Sequence, residues 1–392
     1  MRNILLFFGL AFLIAFEILR VYLIMPLPGS QEMNSIDLAY FLGSNKLLIR
    51  TIGLALIAIP FYRAMRDGKL FTRILLVIVG LLYILLFYVF TFKMEADKMF
   101  YQPTIIKLST PDSSKIGRDK LVIGIELNGE ARAYPIQLIG YHHQVVDTIN
   151  SIPVMVTYCT VCRTGRVFNP VVNGKYEKFR LVGMDHFNAM FEDETTKSWW
   201  RQSTGECIAG PLKGTSLTEV QSEQVVLNAW LRRFPNSLIL QGDEKFKSSF
   251  EQMDNYDKGN SKSNLTKRDT ASWNPKSWVI GIEKDFIAKA YDWNQLVAVR
   301  IIQDSLPNLP LVILLENDSA SFHTYSRKIN NDLLNFSLRN DSIIDLNSQS
   351  IWDYDGNCIE GKLKGTSLEK IKSYQEYVHS WEYFHPGSKR HK

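Results

Sequence analysis

From Ile74 to Phe92 the chain runs 19 residues without a charged side chain. At roughly 1.5 Å of rise per residue, about 20 apolar residues cross a hydrocarbon core of about 30 Å. A buried helix of that length in a globular protein carries a polar stripe on one face. This segment carries none, so it reads as a membrane span over residues 74–92. Two apolar segments precede it. Residues 4–25 contain Glu17 and Arg20, spaced i, i+3 and read as a self-neutralised pair near the interface; the alternative is a contact with a partner helix or a buried polar site. The apolar stretch is too long for a cleaved signal peptide. Residues 47–65 contain Pro60 and Arg50, whose long side chain can snorkel to the interface.

Charge placement gives the expected orientation. Residues 1–93 hold nine Lys and Arg and four Asp and Glu, a net of +5 that equals the net charge of the whole 392-residue chain. The remainder is neutral. A basic chain often suggests nucleic acid, but these cations flank apolar runs, and no nucleic-acid partner is expected. Arg63, Arg66, Lys69 and Arg73 crowd the connection before the last span, whereas residues 26–46 hold Lys46 alone against Glu32 and Asp37. The positive-inside rule puts the Arg63–Arg73 loop and the N-terminus in the cytoplasm. Residues 94–392 are then extracytoplasmic, periplasmic or on the cell surface, where thiols meet oxidising conditions. Membrane lipid is the expected partner, with a membrane protein as a further candidate.

The soluble part is self-similar. Val122-Ile-Gly-Ile-Glu126 recurs as Val279-Ile-Gly-Ile-Glu283, and Cys207–Leu217 matches Cys358–Leu368 at nine of eleven positions. Asp147 pairs with Asp304 and Trp230 with Trp381 in the same alignment. A period above 100 residues is too long for a solenoid, so a duplicated domain is expected. Short runs rich in β-branched and aromatic residues, punctuated by Asn128-Gly129 and Asn173-Gly174, predict strands and tight hairpins. A helix is expected in each copy, within residues 216–234 and 367–384. The expected fold class is α+β, with a β-rich duplicated ectodomain behind three transmembrane helices. The expected divisions are a membrane anchor over 1–93, a first lobe over 94–240, a polar linker over 241–274 and a second lobe over 275–392.

Duplication provides an internal comparison. The first copy has His142-His143 where the second has Val299-Arg300. It has Cys159-Thr-Val-Cys162 where the second has Glu316-Asn-Asp-Ser319. The two differences coincide, which marks one site in the first lobe. Two thiolates in one turn with an imidazole form a soft ligand set suited to Cu or Zn. On this reading Cys159, Cys162 and His143 are metal ligands, and His186 is a further candidate. His142 and His143 would point to opposite faces of a strand. Nothing after Cys162 has helical periodicity, which argues against a thioredoxin-like CxxC. Cys207 and Cys358 hold equivalent places and read as structural. The chain has no nucleophile elbow, Walker loop, HExxH or dinucleotide fingerprint, so no nucleotide cofactor is expected and no enzymatic activity is assigned.

The run from Ala133-Tyr-Pro through His-His-Gln-Val-Val-Asp147, Tyr158-Cys-Thr-Val-Cys-Arg-Thr-Gly165 and Thr204-Gly-Glu-Cys-Ile-Ala-Gly-Pro-Leu-Lys-Gly-Thr215 resembles the bacterial domain-of-unknown-function family 3179. The resemblance covers about residues 115–390, outside the three spans. In that family the cysteine stretch usually reads Tyr-Cys-Pro-Leu-Cys-Gly-Thr. Carried over, it supports His143, Asp147, Cys159 and Cys162, with Asn188 and Trp200 on family-like positions. Arg163 stands where the family has Gly, a residue that could take positive φ to close a tight turn. Gln144 replaces an acidic residue. The family implies no settled activity. Three readings of the CxxC stay open. A metal site needs a third ligand near both sulfurs. A redox pair needs an exposed cysteine of lowered pKa. A structural Cys159–Cys162 disulfide in a binding or scaffold module needs neither.

Overall fold

The structure, a computed structural model, describes residues 2–339 and 341–392, with residues 2–4 described by backbone alone. It is a mixed α+β chain: apolar helices lie at the N-terminus and many small sheets follow. The residues group into two compact units. One holds residues 1–101, 177–201 and 205–216; the other holds 102–176, 202–204 and 217–392.

In the first unit, helices α1 (Arg2–Tyr22), α2 (Ile36–Ser44), α3 (Lys46–Asp67) and α4 (Leu70–Phe92) follow one another. The first, third and fourth are long and apolar enough to cross a membrane. The charged residues in them are placed differently from the sequence expectation. Glu17 accepts two hydrogen bonds from Arg50, at 2.6 and 2.8 Å, and lies 3.6 Å from Arg20. Arg20 turns to Glu95 at 2.9 Å and to the Phe90 carbonyl at 3.1 Å. Arg50 therefore does not snorkel: a guanidinium among apolar helices is better served by a bidentate carboxylate than by a distant interface. Burial pushes the Glu95 carboxyl up, but Lys46 and Arg20 beside it more than offset this and hold it below its ordinary value.

The same unit contains an antiparallel sheet in the order Cys207–Ala209, Trp199–Arg201, Asn188–Asp193, Phe179–Asp185. Main-chain and side-chain bonds tie it to the segment after α1. The Met184 N–H donates to the Ile24 carbonyl (2.7 Å), and the Phe187 N–H to Gln31 Oε1 (3.1 Å). Tyr40 of α2 meets Trp199 edge-on at 5.2 Å. Gly183 allows this approach, since a Cβ there would stand 2.4 Å from the Ile24 carbonyl oxygen.

In the second unit, one sheet runs Lys107–Ser109, Leu238–Gln241, Glu130–Pro135, Leu121–Leu127, Glu223–Val226. Another runs Tyr374–Tyr377, Trp278–Lys284, Ile287–Asp292, Lys389–Arg390. Two three-stranded sheets accompany them: Gln144–Ile149 with Ile152–Cys159 and Thr164–Phe168, and Ile301–Leu306 with Leu309–Leu315 and Phe322–Ser326. Asn128 and Gly129 have φ of 52° and 87°, the doubly left-handed turn that suits the twist of a two-residue hairpin. Gly124 and Gly281 make room for tryptophans: a Cβ would come within 2.4 Å of Trp230 and 2.1 Å of Trp381, respectively.

Two expectations are corrected here. The helices within 216–234 and 367–384 are short, Leu227–Arg233 and Val378–Phe384, because the apolar residues before them form the strands Glu223–Val226 and Tyr374–Tyr377. Buried Val225, Val226 and Tyr377 gave a pattern that fits either element. The polar stretch 241–274 is more than a surface connection: Phe246, Phe250 and Tyr256 are buried in the core built around Ile123, Tyr134 and Val156.

Candidate functional site

Cys159 ends the strand Ile152–Cys159, and Cys162 lies in the turn before Thr164–Phe168. The pair thus sits at a strand end and in the turn that follows it. Both side chains are fully buried. The two sulfurs are within hydrogen-bond reach of each other, and Ser380 is within reach of Cys162. The Ser380 hydroxyl donates to Glu376 at 2.9 Å, and Glu376 accepts from Arg166 at 3.0 Å. Burial pushes the Cys162 thiol well above its ordinary value, and neighbouring Cys159 adds to this. The Cys162 thiol is therefore not a ready nucleophile.

Above the turn sits Lys276. Its ammonium donates to the Val161 carbonyl at 2.7 Å and the Leu265 carbonyl at 2.6 Å, and lies 3.2 Å from His379 Nε2. Burial lowers the Lys276 pKa to about 8, with the sulfurs of Cys162 and Cys159 opposing that shift. Burial and the Lys276 charge lower His379 to about 3, so its ring is neutral. The Tyr377 N–H donates to the Cys162 carbonyl at 3.0 Å.

Arg163 completes the turn with φ of +57°. The position does take the left-handed conformation that Gly favours, and an arginine occupies it at a cost of about 1–2 kcal/mol. Its fully buried side chain has abundant contacts. Nε donates to Gln375 Oε1 at 2.8 Å, and the other nitrogens to the carbonyls of Tyr256 (3.3 Å) and Asp257 (3.2 Å). The guanidinium lies 3.7 Å from the Trp278 ring centroid.

The remaining expected residues are dispersed. His142 ends the helix Ile136–His142 and His143 is its left-handed cap at φ 62°, so the pair does not alternate across a strand. The cap forms because the His143 N–H closes on the Ile139 carbonyl at 2.8 Å. His143 Nδ1 lies 3.1 Å from the Tyr141 carbonyl oxygen, and burial lowers the ring's pKa to about 4. Asp147 accepts from Tyr134 at 2.7 Å and Arg132 at 2.6 Å. Asp304 accepts likewise from Tyr291 at 2.9 Å and from Lys289. That shared arrangement builds the fold.

His186, Asn188 and Trp200 belong to the other unit. His186 Nδ1 is 2.5 Å from Asp185, which also accepts from Arg201. Trp200 donates to Asp193 at 2.9 Å, and Asn188 is fully buried in its strand. Cys207 and Cys358 each direct Sγ to a carbonyl two residues on, at 3.4 and 3.3 Å.

Among the described residues no group of three or more His, Cys, Asp or Glu side chains could hold a metal ion. The expected Cu or Zn set of Cys159, Cys162, His143 and His186 is thus not gathered into a ligand sphere. Sequence reasoning missed Lys276, Glu376, His379 and Ser380, which surround the cysteine turn from more than 100 residues away. No local pattern marks them.

The profile of the family described as "Protein of unknown function (DUF3179)" matches residues 100–388, and the chain belongs to that family. Neither the curated proteins nor the solved structures contain a match to it.

Proposed function

We propose that this DUF3179 member is a membrane-tethered, extracytoplasmic binding module in which Cys159 and Cys162 are a structural fastener. One observation carries the reading: the sulfurs are fully buried against each other, and burial raises the Cys162 thiol. A redox centre needs an accessible cysteine of lowered pKa, and a metal centre needs a third ligand, which the described residues do not gather. A fastener needs only the two sulfurs. Its task is to close the turn that holds Arg163 in its left-handed conformation.

The cationic connection Arg63–Arg73 is the support for a cytoplasmic N-terminus and an exported remainder. Duplication of the soluble part into two lobes is supported by the sequence repeat and by two matched strand–helix series. In each, a strand glycine faces a helix tryptophan and a cap residue is left-handed (His143 and Arg300).

A second reading has one observation in its favour. Lys276, with its pKa lowered to about 8, lies close enough to the two sulfurs to feel their charge. An ammonium there would stabilise a thiolate, and thus thiol–disulfide exchange, if the turn opened.

One experiment separates the readings. The full-length protein, purified in detergent, is assayed for metal and for thiol reactivity before and after unfolding, beside Cys159→Ser/Cys162→Ser. The fastener reading, with both cysteines free thiols as in the structure, expects no stoichiometric metal and a pair that reacts with neither alkylating agent nor glutathione disulfide in the native protein and is alkylated once unfolded. Stoichiometric Cu or Zn that vanishes in the variant restores the metal reading. Rapid exchange in the native state establishes the redox reading.

A further inference from the structure

A cavity of about 520 Å³ lies beside the cysteine turn, within the second unit. Arg163, Arg268, Trp278 and Gln375 form part of its wall. Both guanidiniums lie over the same indole, at 3.7 Å for Arg163 and 4.2 Å for Arg268. Their hydrogen-bond partners are all neutral oxygens. Arg163 uses Gln375 Oε1 and the carbonyls of Tyr256 and Asp257; Arg268 donates to Asn294 Oδ1. Arg268 Nε is buried and has no partner.

Two cations near one ring repel, and burial takes away the water that would screen them. Burial, and then the charge of Arg163, hold Arg268 below the usual guanidinium range, with Asp292 opposing them. Asp119, Asp254, Asp257 and Asp318 also line the cavity, and Asp257 acts on Arg163 as a nearby negative charge with its own buried Oδ1 unpartnered. Asp254 lies 3.7 Å from Lys120, and Asp257 accepts the Leu121 N–H at 3.0 Å. Burial raises Asp257, with the charge of Arg163 opposing that shift.

We propose that this cavity binds a small organic anion, recognised through a carboxylate or phosphate group by Arg268, with the buried charge of Arg163 behind it. The planar Arg268 guanidinium matches both oxyanions in a fork, and an anion would give its buried, unpartnered Nε an acceptor. The assignment rests on the binding-module reading above and gives it a ligand class. The Trp278–Trp293 pair, 5.9 Å apart in the same wall, supplies an apolar side for the ligand's carbon skeleton.

The test uses full-length protein in detergent, with succinate and inorganic phosphate as probes and chloride at matched ionic strength as control. Binding is read by tryptophan fluorescence and calorimetry. The expected result is saturable binding of at least one probe, weakened tenfold or more in Arg268→Gln and partly kept in Arg268→Lys. Arg268 is half-buried and outside the strands, so its variants are chosen over Arg163, whose loss endangers the turn. Melting of each unliganded variant is measured alongside. No saturable binding of either probe, or binding unchanged in Arg268→Gln, overturns the assignment. The thiols are assayed on the same samples. Failed binding with an inert Cys159–Cys162 pair removes the anion alone, whereas an exchanging pair removes the underlying reading.

Discussion

Arg50 forks onto Glu17, with Nε and Nη2 2.6 and 2.8 Å from the two carboxylate oxygens, and so joins α1 to α3. Glu17 is fully buried. Removing one partner of such a pair leaves the other charge uncompensated and costs about 3–5 kcal/mol, whereas replacing both by apolar residues is often neutral. Glu17→Ala is therefore expected to lower the unfolding midpoint in detergent sharply, and Glu17→Leu/Arg50→Leu to recover most of the loss. A single variant that melts like the parent would show that the fork contributes nothing.

The second prediction concerns Arg163. At φ of +57° any residue with a Cβ is strained. Arg163→Ala loses the side-chain contacts and keeps the strain; Arg163→Gly loses the contacts and relieves it. The glycine variant should be more stable than the alanine variant by about 1 kcal/mol. Urea or thermal unfolding of the two variants side by side checks this, and an alanine variant that equals or exceeds the glycine variant contradicts it.

His143 gives a pH dependence. Burial lowers its folded pKa to about 4, against an ordinary value of 6.5. The native state therefore favours the neutral ring, while the unfolded chain takes up a proton near pH 6.5. The contribution is present above pH 6.5 and is lost as pH falls toward 4, by about 3 kcal/mol. His143→Gln should flatten the stability profile between pH 6.5 and 4. The check is the melting temperature of both proteins across that range, and parallel slopes would refute it.

The long apolar helices are legible because length and an absence of charge are features that one segment of sequence can display. The strand pairs around Asn128-Gly129 were legible for a similar reason: turn chemistry is local. The position after Cys162 was legible as one that favours Gly, although an arginine fills it. What surrounds the cysteines was not. Lys276, Ser380 and Glu376 reach the turn from the far end of the chain, and a buried lysine or glutamate has no local signature. Periodicity also misleads where strand and helix abut, as at Val226 and Leu227, since the three apolar residues Val225-Val226-Leu227 in a row fit both. The pair His142-His143 was read as strand because neither residue announces a helix end; the left-handed cap there is usually a glycine.

The chain passes between its two units five times, at residues 101/102, 176/177, 201/202, 204/205 and 216/217. A protease that clipped the chain just after the last apolar helix would cut inside the first unit and leave all five passages intact. The sheet built from Phe179–Asp185 to Cys207–Ala209 would lose the covalent link to helices with which it forms one compact unit. A single cut there would thus leave a fragment divided against its own packing. The order in which the chain visits its parts binds this sheet to the apolar helices.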